Sequence, residues 1–258
     1  MLTFGSLFAG IGGFDLGFER AGFQCKWQVE IDDYATRVLE RHWPDVHRER
    51  DIRQCGRHNL ERVDCIIGGF PCVDISYAGK GAGLDGSRSG LFFEAIRLVR
   101  ELQPRAVVLE NVAALLTRGL DRVLGTLAEV GFDAEWHCIP AAAVGAPHIR
   151  DRVFIVAYGR GFVVPRRTIF TKERRVQNEW QRQAEKWGVH WVESEVGTSS
   201  LCRIQGSWND SVHKPEFRRM VDGVPDQLDR LRCLGNAIVP QVAEVVARMA
   251  MDRLTGGE

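Results

Sequence analysis

Short apolar runs alternate with segments of helical periodicity over residues 1–157. Six runs predict strands, at 2–8, 25–30, 63–68, 105–110, 134–139 and 153–158. Four segments predict helices, at 13–21, 32–43, 90–102 and 119–130. Such alternation is typical of a mostly parallel sheet covered by helices on both faces. The sequence therefore predicts an α/β fold.

The chain changes character near Tyr158. Residues 160–186 hold eight Lys or Arg against three Glu, and four of the seven tryptophans fall in or just after this stretch. Its periodicity is too poor to predict secondary structure. From about Pro215 the pattern is regular again, and residues 239–254 predict a closing amphipathic helix that starts at Pro240.

The composition is that of an ordinary soluble globular protein. The 34 basic and 34 acidic side chains cancel, so nucleic-acid binding would have to depend on a local basic patch. Seven cysteines without a C-x-x-C pair favour neither a disulfide framework nor a zinc site. We expect a reducing, cytoplasmic compartment, because the sequence also shows no signal peptide and no apolar run of membrane-spanning length.

The tetrad Gly69-Phe70-Pro71-Cys72 follows the predicted strand at 63–68. A cysteine just beyond a buried strand, fixed by a proline and approached by glycines, is placed like a nucleophile. Pro-Cys pairs are also common in ordinary loops, so the tetrad alone leaves both interpretations open.

Three further features suit a nucleotide-like ligand. The loop Phe8-Ala9-Gly10-Ile11-Gly12-Gly13 joins a strand to a helix, where glycines let a ligand approach the backbone. Glu30 ends the second predicted strand, where an acid commonly holds ribose hydroxyls. Asp51 could accept from an adenine amino group. The alternatives are a plain tight turn, a solvated acid and a helix cap, respectively.

Three motifs occur later in the chain. Glu110-Asn111-Val112 ends the fourth predicted strand, on the edge where Cys72 is also expected. Arg150 and Arg152, in extended chain, would share one face and could bind a phosphate or a carbonyl oxygen. The segment 234–240, Leu-Gly-Asn-Ala-Ile-Val-Pro, precedes the last helix. The alternatives are a surface acid, an exposed basic edge and an ordinary Gly/Pro helix start.

In this order and spacing, the motifs closely resemble those of the DNA (cytosine-5)-methyltransferase family, in its compact bacterial and phage type. The resemblance covers about residues 1–157 and 216–258. It implies an S-adenosylmethionine-dependent methyltransferase with a Rossmann-like, mixed and mostly parallel sheet in residues 1–157. It also implies a short inserted target-recognition region at 158–215 and a C-terminal segment, 216–258, that returns to the catalytic domain.

The resemblance also assigns roles to residues. Its catalytic residues are Cys72 as nucleophile, Glu110 at N3 and the amino group of cytosine, Arg152 at the carbonyl oxygen, and Arg150 at the Cys72 loop or a phosphate. The residues that it implies for S-adenosylmethionine binding are Phe8, Ala9, Gly10, Ile11, Gly12, Gly13, Glu30, Ile31, Asp51, Ile52, Pro71, Leu91, Asn236 and Ala237. It implies no metal.

Two positions depart from the family pattern, since Val73 and His148 stand where the family usually has Gln. The expected substrate is cytosine in double-stranded DNA. An RNA (tRNA) cytosine-5 methyltransferase and a non-catalytic regulatory homologue are the alternatives. If the protein belongs to a restriction–modification system, we expect a cognate restriction endonuclease that acts on the same site. A solitary phage enzyme would have no such partner. In either case we expect a monomer.

Overall fold

The computed structural model describes residues 1–71, 90–146, 148–160 and 227–256. Cys72 and Val73 lie outside the described residues. So does the predicted target-recognition region, except for its first three residues.

Seven strands form one sheet in the described ranges. They are β1 (Thr3–Leu7), β2 (Gln24–Val29), β3 (His47–Glu49), β4 (Cys65–Gly69), β5 (Ala106–Val112), β6 (Phe132–Pro140) and β7 (Asp151–Gly159). The order across the sheet is β3-β2-β1-β4-β5-β7-β6. The first five pair in parallel, and β7 is antiparallel to both of its neighbours. The predicted α/β fold with a mixed, mostly parallel sheet is confirmed.

Six α-helices accompany this sheet in the same ranges. They are α1 (Gly13–Arg20), α2 (Asp33–His42), α3 (Gly90–Leu102), α4 (Leu120–Glu129), α5 (Gln227–Asn236) and α6 (Pro240–Thr255). Their starts follow from local chemistry. Asp32 caps α2, because its Oδ1 accepts a hydrogen bond from the Ala35 N–H at 2.9 Å. Pro240 opens α6, as predicted, at a position where a missing N–H costs no helical hydrogen bond.

Both faces of the sheet are covered. On one face, the helices α1 and α6 lie side by side, and Phe18 and Val246 are buried in a common core. On the other face, Leu98 of α3 and Val123 of α4 are buried with Ile66 of β4. The two-sided covering that the alternating pattern predicts is therefore present.

Chain order reverses between β1 and β4, which are neighbours in the sheet. In open α/β sheets, ligands bind in the crevice beside the carboxyl ends of the strands at such a point. The loops after β1, β2, β4 and β5 all leave the sheet at this edge. The loop at 8–13 follows β1, Glu30 follows β2, the tetrad begins at the end of β4, and Glu110 lies near the end of β5.

Two elements were missed by the sequence analysis: β3, which has only three residues, and α5. The strand β7 also continues to Gly159, two residues beyond the predicted domain boundary. No helix in the described ranges is long and apolar enough to cross a membrane. In the same ranges, no cluster of His, Cys, Asp or Glu is placed to hold a metal ion.

Candidate active site

The loop between β1 and α1 turns sharply and is open on one side. Phe8, Gly10 and Gly12 have left-handed backbones, with φ of 55°, 57° and 82°. A Cβ on Gly12 would lie 2.3 Å from the Trp43 ring, whereas nothing lies within 4 Å of the position that a Cβ on Gly10 would take. Packing therefore requires Gly12, and Gly10 leaves space for a bound molecule. Of the remaining loop residues, Ala9 is buried and Ile11 is half-buried.

Glu30 lies beside this loop, just after β2. Its Oε2 accepts a hydrogen bond from the Gly10 N–H at 2.7 Å, and its Oε1 accepts one from the Asp32 N–H at 2.8 Å. Each carboxylate oxygen keeps a further lone pair for another donor. The next residue, Ile31, is 63% exposed. A fixed acceptor beside an exposed apolar side chain suits a ribose hydroxyl and a flat base.

Asp51 caps a short 3₁₀ turn, Ile52–Gln54. Its Oδ1 accepts a hydrogen bond from the Arg53 N–H at 3.0 Å, and the side-chain hydrogen bonds from Arg53 lower the pKa of Asp51. The helix-cap alternative therefore holds, and a contact with adenine stays a prediction. Ile52 buries its side chain in the core. As the first residue of the turn, it has an N–H without an intrahelical partner.

Glu110 is a buried acid near the end of β5, and it is 9% exposed. Arg152 pairs with Val112 in the β5–β7 ladder, so Arg152 and Glu110 are on the same face of the sheet. The Oε1 of Glu110 lies 3.0 Å from the Nε of Arg152. Burial raises the pKa of Glu110 to about 7, and the positive charges of Arg152 and Arg150 limit that rise. This carboxyl can therefore hold or release a proton near neutral pH.

The tetrad and the buried acid are brought together by β4 and β5. Gly69 is the ladder partner of Glu110, and a Cβ on Gly69 would lie 2.8 Å from the Oε2 of Glu110. A larger residue at this position would displace the acid. Pro71, which follows, is half-buried, and Cys72 lies outside the described residues.

Asn111 is a further site residue, which the sequence placed in the Glu-Asn-Val motif without a role of its own. It is 1% exposed, and its Nδ2 donates a hydrogen bond to the carbonyl of Phe70 at 3.2 Å. Its Oδ1 accepts one from the Val112 N–H at 2.8 Å. Asn111 thus fixes the backbone two residues before Cys72. A polar amide directly after an apolar strand was the available signal.

Arg150 and Arg152 hold different partners. Arg150 precedes β7 and has a left-handed backbone, with φ of 40°, so the prediction that both arginines lie in extended chain is wrong. The Arg150 guanidinium donates hydrogen bonds to the carbonyls of Gly235 at 2.8 Å and Ala237 at 2.6 Å. These hydrogen bonds hold the segment 234–240, while the charge of Arg150 also acts on Glu110 of β5.

The segment 234–240 lies against the start of α1. A Cβ on Gly13 would lie 2.3 Å from the carbonyl oxygen of Ile238, and one on Gly17 would lie 2.4 Å from the Cβ of Ala243. These two glycines, one helical turn apart, let the chain before α6 and the start of α6 approach α1 closely. Asn236 is exposed at the end of α5. Ile238 and Ala243 therefore lie beside the end of the loop at 8–13 and the start of α1, and the return of the whole segment 216–258 stays a prediction.

Of the remaining predicted cofactor residues, Ala237 is half-buried beside this loop. Leu91 is partly buried and packs against the core under α3. Most of the described members of the predicted site thus lie along the carboxyl edge of β1, β2, β3, β4 and β5, with Arg152 at the start of β7.

The family model for C-5 cytosine-specific DNA methylases matches residues 2–190. The chain belongs to this family. Within it, the chain is 36% identical over 159 residues to the type II methyltransferase M1.ScrFI of Lactococcus lactis subsp. cremoris, which covers 60% of this chain and 41% of that protein. It is 34% identical over 161 residues to M.HhaI of Haemophilus parahaemolyticus, which covers 61% and 49%.

Solved structures agree with this membership. A prophage-encoded protein of E. coli, described as a DNA modification methyltransferase, has a TM-score of 0.53 and 30% identity over 62% of this chain and 47% of its own. The DNMT2 of Spodoptera frugiperda has a TM-score of 0.55 at 22% identity, which supports the fold alone; it covers 65% of this chain and 53% of its own. This methylase-family chain spans about half or less of the length of the curated relatives it matches.

Proposed function

We propose that this protein transfers a methyl group from S-adenosylmethionine to carbon 5 of cytosine in a specific sequence of double-stranded DNA. One observation carries the proposal: the buried acid Glu110, whose pKa is about 7, lies against Arg152 and beside the strand that leads to Cys72. An acid that can protonate the cytosine ring is what this reaction needs. Membership of the methylase family supports the same assignment.

The residues along the β1–β2 edge fit S-adenosylmethionine. The open side of the loop at Gly10, the anchored carboxylate of Glu30 and the exposed side chain of Ile31 offer space, an acceptor for ribose hydroxyls and an apolar surface for adenine. The Asp51 carboxylate and the Ile52 N–H would meet the polar edge of the base. Bound there, S-adenosylmethionine would supply an electrophilic methyl group.

In the proposed mechanism, the thiolate of Cys72 adds to carbon 6 of the cytosine, which turns the ring into an enamine and makes carbon 5 nucleophilic. Glu110 donates a proton to N3 and accepts a hydrogen bond from the amino group, so it neutralises charge that develops on the ring. Arg152 holds the carbonyl oxygen. After methylation of carbon 5, water accepts the proton on that carbon, the Cys72 thiolate is eliminated from carbon 6, and N3 returns its proton to Glu110, so the methylated base is released.

Arg150 has a supporting part in this proposal, because its guanidinium is occupied by the carbonyls of Gly235 and Ala237. It keeps the segment 234–240 against α1, where Asn236 and Ala237 would border the cofactor. A direct contact of Arg150 with the Cys72 loop or with a phosphate stays a prediction, because the Cys72 loop lies outside the described residues.

Carbons 5 and 6 are hard to reach in a stacked duplex, so the target base would be extruded at a cost of roughly a few kcal/mol. We assign target recognition to residues 158–215, which are basic and rich in tryptophan. The type II relatives support a place in restriction–modification. We further propose that the protein acts as a monomer in the bacterial cytoplasm, beside an endonuclease that cuts the same sequence.

Base-resolution methylation sequencing of plasmid DNA from cells that express the chain tests the proposal, with Cys72→Ser as the control. We expect 5-methylcytosine confined to one short sequence, and none with the variant. A duplex containing 5-fluorocytosine at that site should stay covalently attached to the wild type and not to Cys72→Ser. Unmodified plasmid from cells that contain folded protein able to bind S-adenosylmethionine would contradict the proposal.

A further inference from the structure

We infer that Arg97, on α3, is a positioning residue that holds the adenine-facing turn Asp51–Cys55 in its binding shape. The inference rests on the proposed function, in which this turn meets the base of S-adenosylmethionine. The Nη2 of Arg97 donates a hydrogen bond to the carbonyl of Ile52 at 3.0 Å, and its Nη1 donates one to the carbonyl of Cys55 at 3.0 Å. One guanidinium thus bridges the beginning and the end of the turn.

The turn needs such support because it is short. Only three residues, Ile52–Gln54, form the 3₁₀ helix, and runs of this length do not hold their shape alone. Within the turn, the Gln54 N–H donates to the carbonyl of Asp51 at 2.9 Å, and the Cys55 N–H donates to the carbonyl of Ile52 at 3.2 Å. The carboxylate of Asp51 accepts from the N–H and the guanidinium of Arg53. The carbonyl of Ile52 therefore accepts from within the turn and from Arg97.

Arg97 is itself fixed on α3. Its Nε donates to the carboxylate of Glu94 at 2.8 Å, and its Nη1 donates to that of Glu101 at 2.8 Å. Glu94 and Glu101 lie one turn before and one turn after Arg97 on the same helix face. Two carboxylates therefore orient the guanidinium, and its remaining donors are directed at the turn.

The geometry requires arginine and not only a positive charge. The four contacts use three nitrogens in one plane, and the single ammonium of lysine cannot reach two carbonyls and two carboxylates at once. Arg97 touches neither Glu30 nor the loop at 8–13 by any contact in the described structure. We therefore expect its effect to be limited to recognition of the base.

The test compares two nucleosides that differ only at the edge facing Asp51. S-adenosylhomocysteine carries an amino group at position 6 of its base, and S-inosylhomocysteine carries a carbonyl oxygen there. Their Kd values are measured by calorimetry for the wild type and for Arg97→Lys. Arg100→Ala is the matched control, because Arg100 lies exposed on the same helix. The ratio of the two Kd values does not depend on the fraction of protein that is folded.

We expect the wild type and Arg100→Ala to prefer the adenine compound. We expect Arg97→Lys to weaken binding of that compound about tenfold, the value of one hydrogen bond, and to bind the inosine compound as the wild type does. In an Asp51→Asn background, the Arg97→Lys change should no longer affect the ratio. Arg97→Gln, tested in the same way, provides a second variant if the lysine variant does not fold.

Two results would overturn the inference. One is a ratio unchanged by Arg97→Lys, and the other is an equal loss of affinity for both compounds, which would show a general structural effect. Failure of the wild type to bind S-adenosylhomocysteine would instead contradict the proposed function.

Discussion

The carboxyl edge of the sheet has two halves, and each contains one glutamate at the end of a strand. We call the loop at 8–13, Glu30 and Ile31 the cofactor half, after the ligand that we propose for them. We call Gly69, Glu110 and Arg152 the base half in the same sense. Glu30 accepts hydrogen bonds from two backbone N–H groups, whereas Glu110 is buried against a guanidinium.

The same side-chain type is thereby prepared for two different tasks. A backbone N–H group can only donate a hydrogen bond. The two that face Glu30 therefore suit a side chain that acts as a fixed acceptor. Burial raises the pKa of Glu110 to about 7, so this carboxyl can exchange a proton near neutral pH, as the proposed reaction would require. The environment, and not the residue type, separates the cofactor half from the base half. Three substitutions test this separation.

The largest effect is expected in the base half. Glu110→Gln removes the proton that the ring needs, so we expect the rate of methyl transfer in a single turnover to fall about 10²–10³-fold. Affinity for S-adenosylmethionine should stay unchanged, because Glu110 belongs to the base half. Glu129→Gln, at an exposed position on α4, is the matched control. A loss of cofactor affinity without a loss of rate would show that the two halves are not separate.

The reverse pattern is expected in the cofactor half. In Glu30→Gln, an amide NH₂ group would face one of the two backbone donors, and the ribose would lose a charged acceptor. We expect the Kd for S-adenosylmethionine to rise about 10–100-fold, the value of one hydrogen bond to a charged group. The rate at saturating cofactor should be retained. Glu40→Gln, exposed on α2, is the control, and a rate that stays low at saturation would count against the assignment.

The smallest effect concerns the pH dependence of the base half. Glutamine cannot ionise, so the ratio of wild-type to Glu110→Gln rates isolates the titration of Glu110. We expect this ratio to fall as the pH rises through about 7, where the protonated acid is lost. The positive charge of Arg152 lowers the pKa of Glu110, so the fall should move to higher pH in an Arg152→Gln background.

The control for this titration is Arg248→Gln, which removes an exposed guanidinium on α6. It should leave the position of the fall unchanged. A ratio that is flat between pH 6 and 8 (about one unit on either side of the pKa that burial gives Glu110) would contradict a proton-donating role.

Much of this arrangement can be predicted from local patterns in the sequence. Apolar runs predict six of the seven strands, and the class and covering of the sheet follow from their alternation with helices. β3 was missed because His47, Arg48 and Glu49 are all polar, and a short strand at the sheet edge needs no apolar pattern. α5 was missed because most of its residues are polar, so the helical pattern of apolar residues is weak. Two of its leucines, Leu228 and Leu234, are exposed.

Contacts between distant segments could not be predicted in the same way. The sequence pattern predicted extended chain at both Arg150 and Arg152. It gives no sign that Arg150 has a left-handed backbone, or that its hydrogen-bond partners lie 85 and 87 residues away. The amide of Asn111 reaches Phe70 only after β4 and β5 have paired. The roles of Cys72 and of residues 158–215 stay predictions from the family resemblance.

The contact of Gly13 and Gly17 with Ile238 and Ala243 also has a consequence for the timing of synthesis. The ribosome makes α1 early, yet the chain that packs on those glycines follows more than 200 residues later. At about 5–20 residues per second, roughly 10 to 45 seconds separate the two segments. The half of the site that begins with α1 is therefore completed only after α6 has been made. A nascent chain would be unable to hold its methyl donor until α6 emerges.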